Sequence, residues 1–419
     1  MSMHSLVEKE DRAGRPVTGG LLSGPPAVDA TGPLLTGSGT DHAAHRRTHG
    51  PVPAPDGRTL ADLLEASGLT GRGGAAFPVH RKLRTALTAR RRPRVVVNGG
   101  EGEPLSAKDR VLLTVNPHLV LDGALLTAAA VHAVEVVAVV PADLVDHVSR
   151  AVAARPDASA VRIVPAGGGF TGGEASAVAS RVTGGPGLPL DRTVPLAVAG
   201  PGRRPVFLSN AETVAAVALV ARYGPGGAGT RLFTVTGDVA MPCVTELPCG
   251  TGTVTDTVTD VATAVGRAGG AGHGSVALVG GFSGGWVQEE DWSVPFTDTA
   301  GVSGGVRPGV GIIHVVGPSR CPVSLAADIV TWLAGQSAGQ CGPCVHGLPA
   351  LARAFGRMAA GDPDPELPGR VRALSGLVVD RGLCRHPDGA AAFVAATLAA
   401  FPEEFARHRG HRCGRVEQW

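Results

Sequence analysis

Cys341 and Cys344 stand in Cys-x-x-Cys spacing in the turn "SAGQCGPCVHG" (337–347), and Cys384 follows in the same quarter of the chain. Grouped thiolates ligate iron or zinc, and a close pair can also cycle between dithiol and disulfide. Cluster sites usually hold a further cysteine beside such a pair, but three residues before Cys341 the chain has Ala338. A redox dithiol belongs at a helix start after a strand, whereas the flanks here have helical spacing. Three readings stay open on these residues alone: an iron–sulfur site short of one cysteine, a dithiol, or a turn that merely contains two thiols.

Three other stretches group charge with glycine: "TGRGGAAFPVHRKL" (70–83), "NGGEGEPLSAKDR" (98–110) and "GGGFTGGEASA" (167–177). Clustered glycines let backbone N–H groups wrap a phosphate, and Arg72 and Lys82 would add charge. The second stretch follows the strand-like "PRVVV", and ligands of open α/β sheets sit at the carboxyl ends of strands. Glu101, Glu103, Lys108, Asp109 and Arg110 crowd that point. In the third, Glu174 falls in the first turn of a helix, where a plain cap is the alternative. Of the 38 basic residues only Lys9, Lys82 and Lys108 are lysine, so Lys82 and Lys108 stand out against a strong arginine bias. Gly281-Phe282-Ser283-Gly284-Gly285 has the spacing of a hydrolase nucleophile elbow. The elbow needs a helix next, and the short run before Pro295 predicts a turn of a β module instead.

The elements that position these residues follow from periodicity. Short β-branched runs alternate with helical runs up to about residue 225, which predicts an α/β unit with a largely parallel sheet. Short strands separated by turns follow, then segments of helical spacing. The expected divisions are a disordered tail over 1–50, rich in Gly, Pro, Thr and Ser and carrying His42, His45 and His49, an α/β domain over 51–227, a small β-rich module over 228–305, and a helical bundle over 306–419. The chain of 419 residues is 43% apolar with a formal charge of +2, without the concentrated basic face of a nucleic-acid binder. No apolar leader opens it, and no apolar run reaches membrane length. Of the seven cysteines, Cys341, Cys344 and Cys384 are grouped and Cys243, Cys249, Cys321 and Cys413 are scattered, which reads as metal-binding or redox-active rather than disulfide-bonded, and the expectation is a cytoplasmic protein without direct membrane insertion.

In this order, the glycine turns and the cysteine region resemble the flavin-binding, NADH-oxidising subunit of bacterial NADH:quinone oxidoreductase (complex I) and the related subunits of NAD-linked hydrogenases and formate dehydrogenases. The resemblance runs from about residue 55 to 408. It rests on "GRGGAAFP", "NGGEGEP" with "KDR", "LSNAETVA" (208–215), "RLFTVTGDVAMPCVTELPCGT" (231–251) and "GQCGPCVHG" followed by Cys384. It implies a Rossmann-like flavin domain, a β-grasp module of soluble-ligand-binding type and a helical iron–sulfur bundle. It implies FMN, a [4Fe–4S] or [3Fe–4S] cluster and NADH. Electrons would pass from NAD(P)H through FMN and the cluster to a ferredoxin-like or other iron–sulfur protein, or within a larger redox complex. A flavoprotein with a non-nicotinamide donor and a non-catalytic scaffold of the same fold are the alternatives.

Carried over by position, the resemblance assigns FMN to Gly71, Arg72, Gly73, Lys82, Asn98, Glu101, Gly173, Glu174, Asn210 and Thr213. It assigns nicotinamide contacts to Phe77, Glu103 and Arg192, and iron to Cys341, Cys344 and Cys384; a fourth ligand, which the family pattern does not supply here, would come from His386 or His346, each two residues from a cysteine, or from solvent. Several positions depart from the family pattern. Gly100 stands for Asp, Gly102 for Ser, Ser209 for Asn, Ala175 for the second Glu of a Cys-Gly-Glu-Glu turn, Thr85 for an aromatic, and Pro195 lies near an expected Phe. Ala338 replaces the first cysteine of Ser-Cys-Gly-x-Cys-x-Pro-Cys.

Overall fold

The structure, a computed structural model, describes residues 27–191, 193–249, 259–297 and 305–414. Four parallel strands form the first sheet, in the order Val161–Pro165, Glu135–Val140, Arg94–Asn98, Val206–Asn210. Val95, Val96 and Val97 are at most 1% exposed. Such a run has no polar face and needs cover on both sides, which parallel sheets obtain from crossover helices. Val97 packs among residues of helices Pro117–Ala130 and Ala211–Tyr223, whereas Val96 meets Val178 and Val182 of helix Ala175–Val182 on the other side. The result is the α/β unit with a parallel sheet expected from the alternation, and it is Rossmann-like, as the resemblance implies.

The second sheet is mixed, with the order Ala27–Asp29, Cys243–Pro248, Thr230–Gly237, Ile312–Val316, Val276–Val279, Gly285–Gln288. Its hairpin Thr230–Gly237/Cys243–Pro248, covering helix Val261–Arg267 and central parallel pair Thr230–Gly237 with Ile312–Val316 give a β-grasp arrangement. Two boundaries expected from the sequence differ here. Residues 27–50 are not a loose tail. Ala27–Asp29 pairs in parallel with Cys243–Thr245, and the buried Glu246 carboxylate accepts from Leu34 N (3.1 Å) and Leu35 N (3.0 Å). His45 in helix His42–His49 lies 2.7 Å from Asp122, which also holds Arg155 and Arg222. Residues 1–26 of the expected tail lie outside the described residues. The helical region begins beyond Ile312–Val316 rather than at 306, because that strand fills a slot in the β module.

Helices Pro322–Gly335, Leu348–Ala359, Leu367–Val378, His386–Ala400 and Pro402–Arg409 close a bundle around Leu351, Phe355, Val371 and Phe393. The same core takes in Leu278, Phe282 and Ile312 from the β-grasp sheet and Leu105 from the α/β unit, so the bundle is fixed against both. The Gly281–Gly284 turn joins antiparallel strands with no helix after Ser283, which removes the nucleophile-elbow reading. Among the described residues no single helix is long and apolar enough to cross a membrane.

Candidate functional site

The chain leaves the first sheet edge-wise after Arg94–Asn98 in one direction and returns on the other side as Val206–Asn210. Ligand crevices of open α/β sheets form where crossovers diverge in this way. Asn98 and Asn210 are register partners at the carboxyl ends of these strands. They lie at the floor of a crevice of about 980 Å³ into which all three glycine turns converge. Of the residues assigned to cofactor from sequence, Gly71, Arg72, Gly73, Phe77, Lys82, Asn98, Glu101, Glu103, Gly173, Glu174, Asn210 and Thr213 line it, whereas Arg192 lies outside the described residues.

Their roles differ. Outside its chain neighbours, a Cβ would come no nearer than 3.6 Å to any atom at Gly71 and 3.5 Å at Gly73. Packing does not demand glycine at either position; a side chain there would occupy the crevice itself, which fits a bound FMN. Gly102 is different, since a Cβ would lie 2.6 Å from the Phe170 carbonyl oxygen. Arg72 corrects the expectation of a phosphate-binding cation. Its side chain is buried, with the guanidinium 3.5 Å from the Ala228 carbonyl and 3.9 Å from Cys249 Sγ, so its contribution to the crevice is backbone, fixed by Arg72 N donating to Thr213 Oγ1 at 2.8 Å.

Lys82 is one of the cations that line the crevice. Its Nζ donates to Leu208 O (2.7 Å) and Ser209 Oγ (3.3 Å), leaving one donor, and burial brings its pKa down to about 8. Glu101 is used structurally. It accepts from Ser106 Oγ (2.6 Å), Asp109 N (3.1 Å) and Arg110 N (3.2 Å), capping helix Lys108–Val115 from the preceding loop. Glu174 caps Ala175–Val182 in the same manner, through Ser176 N and Ala177 N. Beneath the floor Lys108, 1% exposed, meets Glu212 at 2.8 Å and Asp109 and the Asn210 amide oxygen at 3.2 Å.

Glu103 has a single backbone donor, Phe282 N at 3.1 Å, and burial lifts its pKa to about 7. Below about 7 the carboxyl is protonated; above it the group is an acceptor for hydroxyls. Acceptance from a dinucleotide ribose would therefore weaken as the pH falls through 7, and the expected KM for NADH rises by up to about tenfold per pH unit below that point. Because the folded-state pKa is raised, the cost of ionising the buried group appears as pH rises from the ordinary carboxylate value toward 7. Glu103→Gln is expected to stabilise the fold at pH 8 but not at pH 4, and to flatten the KM profile. A KM that varies with pH identically in the wild type and the variant would remove Glu103 from the nucleotide site.

The three predicted iron ligands do come together. Cys344 sits on a single π-helical turn, Pro343–Gly347, and its pKa is pushed up to about 12 by burial and by the neighbouring thiols of Cys341 and Cys384. Cys384 is raised as well, chiefly by burial, and a bound cation would compensate the charge of such buried sulfurs. Of the two candidate histidines, His346 is exposed and His386 buried, 6% exposed. His386 Nε2 lies 2.9 Å from Leu333 O, burial holds the ring neutral, and among the described residues its Nδ1 has no hydrogen-bond partner. Sequence reasoning missed Ser337, whose hydroxyl bonds the Cys344 thiol; its place beside Ala338 in the motif was the available signal. It also missed Phe170, which lines the crevice while its N–H donates to Gln336 Oε1 (3.0 Å) and its ring lies 5.1 Å from that of His386. The crevice and the thiols thus share one wall.

The comparisons with known proteins agree with this geometry. Residues 64–219 match the Nuo51 FMN-binding domain, and residues 324–408 match the NADH-ubiquinone oxidoreductase-F iron-sulfur binding region. The second F subunit of NADH-quinone oxidoreductase in Rhizobium meliloti is 27% identical over 379 residues, covering 83% of this chain and 88% of its own. The F subunit of the Streptomyces coelicolor enzyme is 27% identical over 383 residues, covering 85% and 83%. A crystal structure of an NAD+-reducing [NiFe]-hydrogenase in the H2-reduced state superposes with a TM-score of 0.77 at 26% identity, over 91% of this chain and 67% of that one. The chain thus carries, in order, an FMN-binding region and an iron–sulfur binding region similar to those of NADH-quinone oxidoreductase F subunits, within a fold similar to that of the hydrogenase structure.

Proposed function

We propose that this chain is the NADH-oxidising subunit of a larger redox complex and delivers single electrons to a ferredoxin-like or other iron–sulfur partner in the cytoplasm, where free thiols persist to hold iron. The observation that carries the reading is the shared wall: Phe170 lines the crevice and packs on Trp332 and His386 at the thiol site. FMN, when bound, supplies the conversion between two-electron and one-electron transfer, and a [4Fe–4S] or [3Fe–4S] cluster supplies one-electron conduction. The chain's residues do the rest. The 71–74 backbone and the Asn98–Asn210 floor orient the flavin, and Lys82 directs its remaining donor to it. Phe77, 49% exposed at the crevice, offers a stacking face for nicotinamide, and Glu103 accepts from its ribose. Cys341, Cys344 and Cys384 hold iron, with Ser337 or His386 completing the set.

The test begins with colour. The purified protein is expected to be yellow and to release FMN on heating. Lys82→Ala is expected to lower retained flavin several-fold, since a hydrogen bond from a charged group contributes about 1.5–3 kcal/mol. Flavin content equal to wild type would take Lys82 out of the site, and a colourless wild-type protein that binds no added FMN would sink the proposal. Ala175 at the crevice and the sequence at Pro195 favour a second reading, a flavoprotein with another donor. Flavin that dithionite reduces and NADH does not would select it.

A further inference from the structure

Away from the crevice, one largely buried group of side chains, with Cys413 half-buried, has no part in the flavin or iron chemistry. Cys321, Glu404, His408 and Cys413 each offer one ligand atom, and the four atoms all lie within 4.8 Å of one another. Cys321 caps helix Pro322–Gly335, and Ser324 N donates to its sulfur at 3.4 Å, which fixes the sulfur at the helix N-terminus. Glu404 and His408 are one turn apart on the same face of helix Pro402–Arg409, and Cys413 follows just beyond its end.

We infer that these four residues bind a structural zinc ion. The geometry has the dimensions that zinc requires. Zinc binds thiolate at about 2.3 Å and nitrogen or oxygen at about 2.0–2.2 Å, which in a tetrahedron sets sulfur and nitrogen about 3.5 Å apart and nitrogen and oxygen about 3.3 Å apart. Cys321 Sγ lies 3.5 Å from His408 Nε2, and Glu404 Oε1 lies 3.2 Å from it. His408 Nδ1 is 2.6 Å from the Ala359 carbonyl, which places the proton on Nδ1 and turns the Nε2 lone pair into the group. Zinc-ligating histidines are oriented by such an outer hydrogen bond. The carboxylate is held in turn: Gly414 N donates to Oε1 at 2.8 Å and Arg407 to Oε2 at 3.2 Å. Two sulfurs, one imidazole and one carboxylate suit zinc better than magnesium or calcium, and four protein ligands close the site to substrate.

The site is separate from the iron ligands. Cys321 begins the 14-residue helix Pro322–Gly335, and Ser337, Cys341 and Cys344 follow its other end, about 20 Å away by helical rise. The ion would fasten the last helix and the segment after it to the first helix of the bundle, and so hold the scaffold on which the iron ligands stand.

The experiment measures zinc and iron in the full-length protein by mass spectrometry and the zinc shell by X-ray absorption at the zinc edge. About one zinc per chain is expected, with a shell of two sulfurs and two nitrogen or oxygen atoms. Cys321→Ser combined with Cys413→Ser should lower bound zinc by roughly tenfold or more while iron per chain persists. Cys344→Ser should lower iron and leave zinc. If the double variant does not fold, the shell of the wild-type protein decides alone. Three sulfurs would place zinc in the Cys341, Cys344 and Cys384 group and overturn the inference. So would zinc below a tenth of an equivalent after incubation with zinc salt, a double variant that keeps its zinc, or a Cys321–Cys413 disulfide in the protein as isolated.

Discussion

Replacing Ala338 with cysteine is expected to lower the reduction potential of the iron–sulfur centre by on the order of 100 mV, and to raise the iron that survives aerobic purification. In the proposed site Cys341, Cys344 and Cys384 would supply three thiolates, and the methyl group of Ala338 cannot ligate iron. The fourth position then falls to an oxygen or nitrogen, or to solvent. A neutral ligand leaves one negative charge fewer around the iron, which favours the reduced state. Ala338→Cys restores that charge. Two further variants separate the fourth ligands: Ser337→Ala changes the electron paramagnetic resonance spectrum if the hydroxyl is bound, and His386→Gln does so if Nδ1 is. Protein purified without oxygen that contains no iron, and gains none with Ala338→Cys, would mean that the bundle holds no cluster.

The second large effect concerns stability. Lys108→Met is expected to destabilise the fold by about 3–5 kcal/mol at pH 8, the usual result of stranding a buried charge. Lys108 lies within 3.2 Å of Asp109 and 2.8 Å of Glu212, each nearly excluded from solvent. The two carboxylates would not suffer alike. Burial opposes ionisation of Glu212, but Lys108, Arg72 and Arg231 together hold its pKa below the ordinary value, and two of those cations survive the substitution. Asp109 is already raised by burial, with Lys108 the principal opposing charge. Without it Asp109 takes up a proton, and the folded-state pKa climbs further above that of the unfolded chain. The penalty is therefore present at pH 8 and shrinks as the pH falls toward 5. Chemical denaturation at both values measures it; equal losses at the two would show that packing, not charge, is at stake. Asn210 bonds both Lys108 and Asp109, so flavin retention should fall as well.

What can be read from sequence is local. The glycine turns, the valine run of Arg94–Asn98 and the helical spacing of the bundle are short-range patterns, and each places its residues near the crevice. Sequence misleads where the deciding partner is distant in the chain. Nothing in the composition of 27–50 reveals that Glu246 waits to accept from Leu34 and Leu35. Ile312–Val316 reads as a boundary segment until its neighbours Thr230–Gly237 and Val276–Val279 are known. Arg72 reads as a cation for phosphate because its loop is right; only the fold shows that its guanidinium is buried against Ala228 and Cys249. Cys321 and Cys413 look scattered because a bundle lies between them.

The slot filled by Ile312–Val316 also bears on how the chain is made. Its two flanking strands, Thr230–Gly237 and Val276–Val279, are both synthesised before it. At about 5–20 residues per second the ribosome needs on the order of 2–8 s to extend the chain from residue 279 to 316. During that interval the β-grasp sheet has a gap at its centre, with backbone donors and acceptors exposed on both sides. Asp29 must also wait, since its partner Thr245 is 216 residues downstream. A nascent chain stalled in that window would present two open strand edges at once. The period of greatest exposure to aggregation, and of greatest need for a chaperone, thus falls late in synthesis, after the α/β domain is already outside the ribosome.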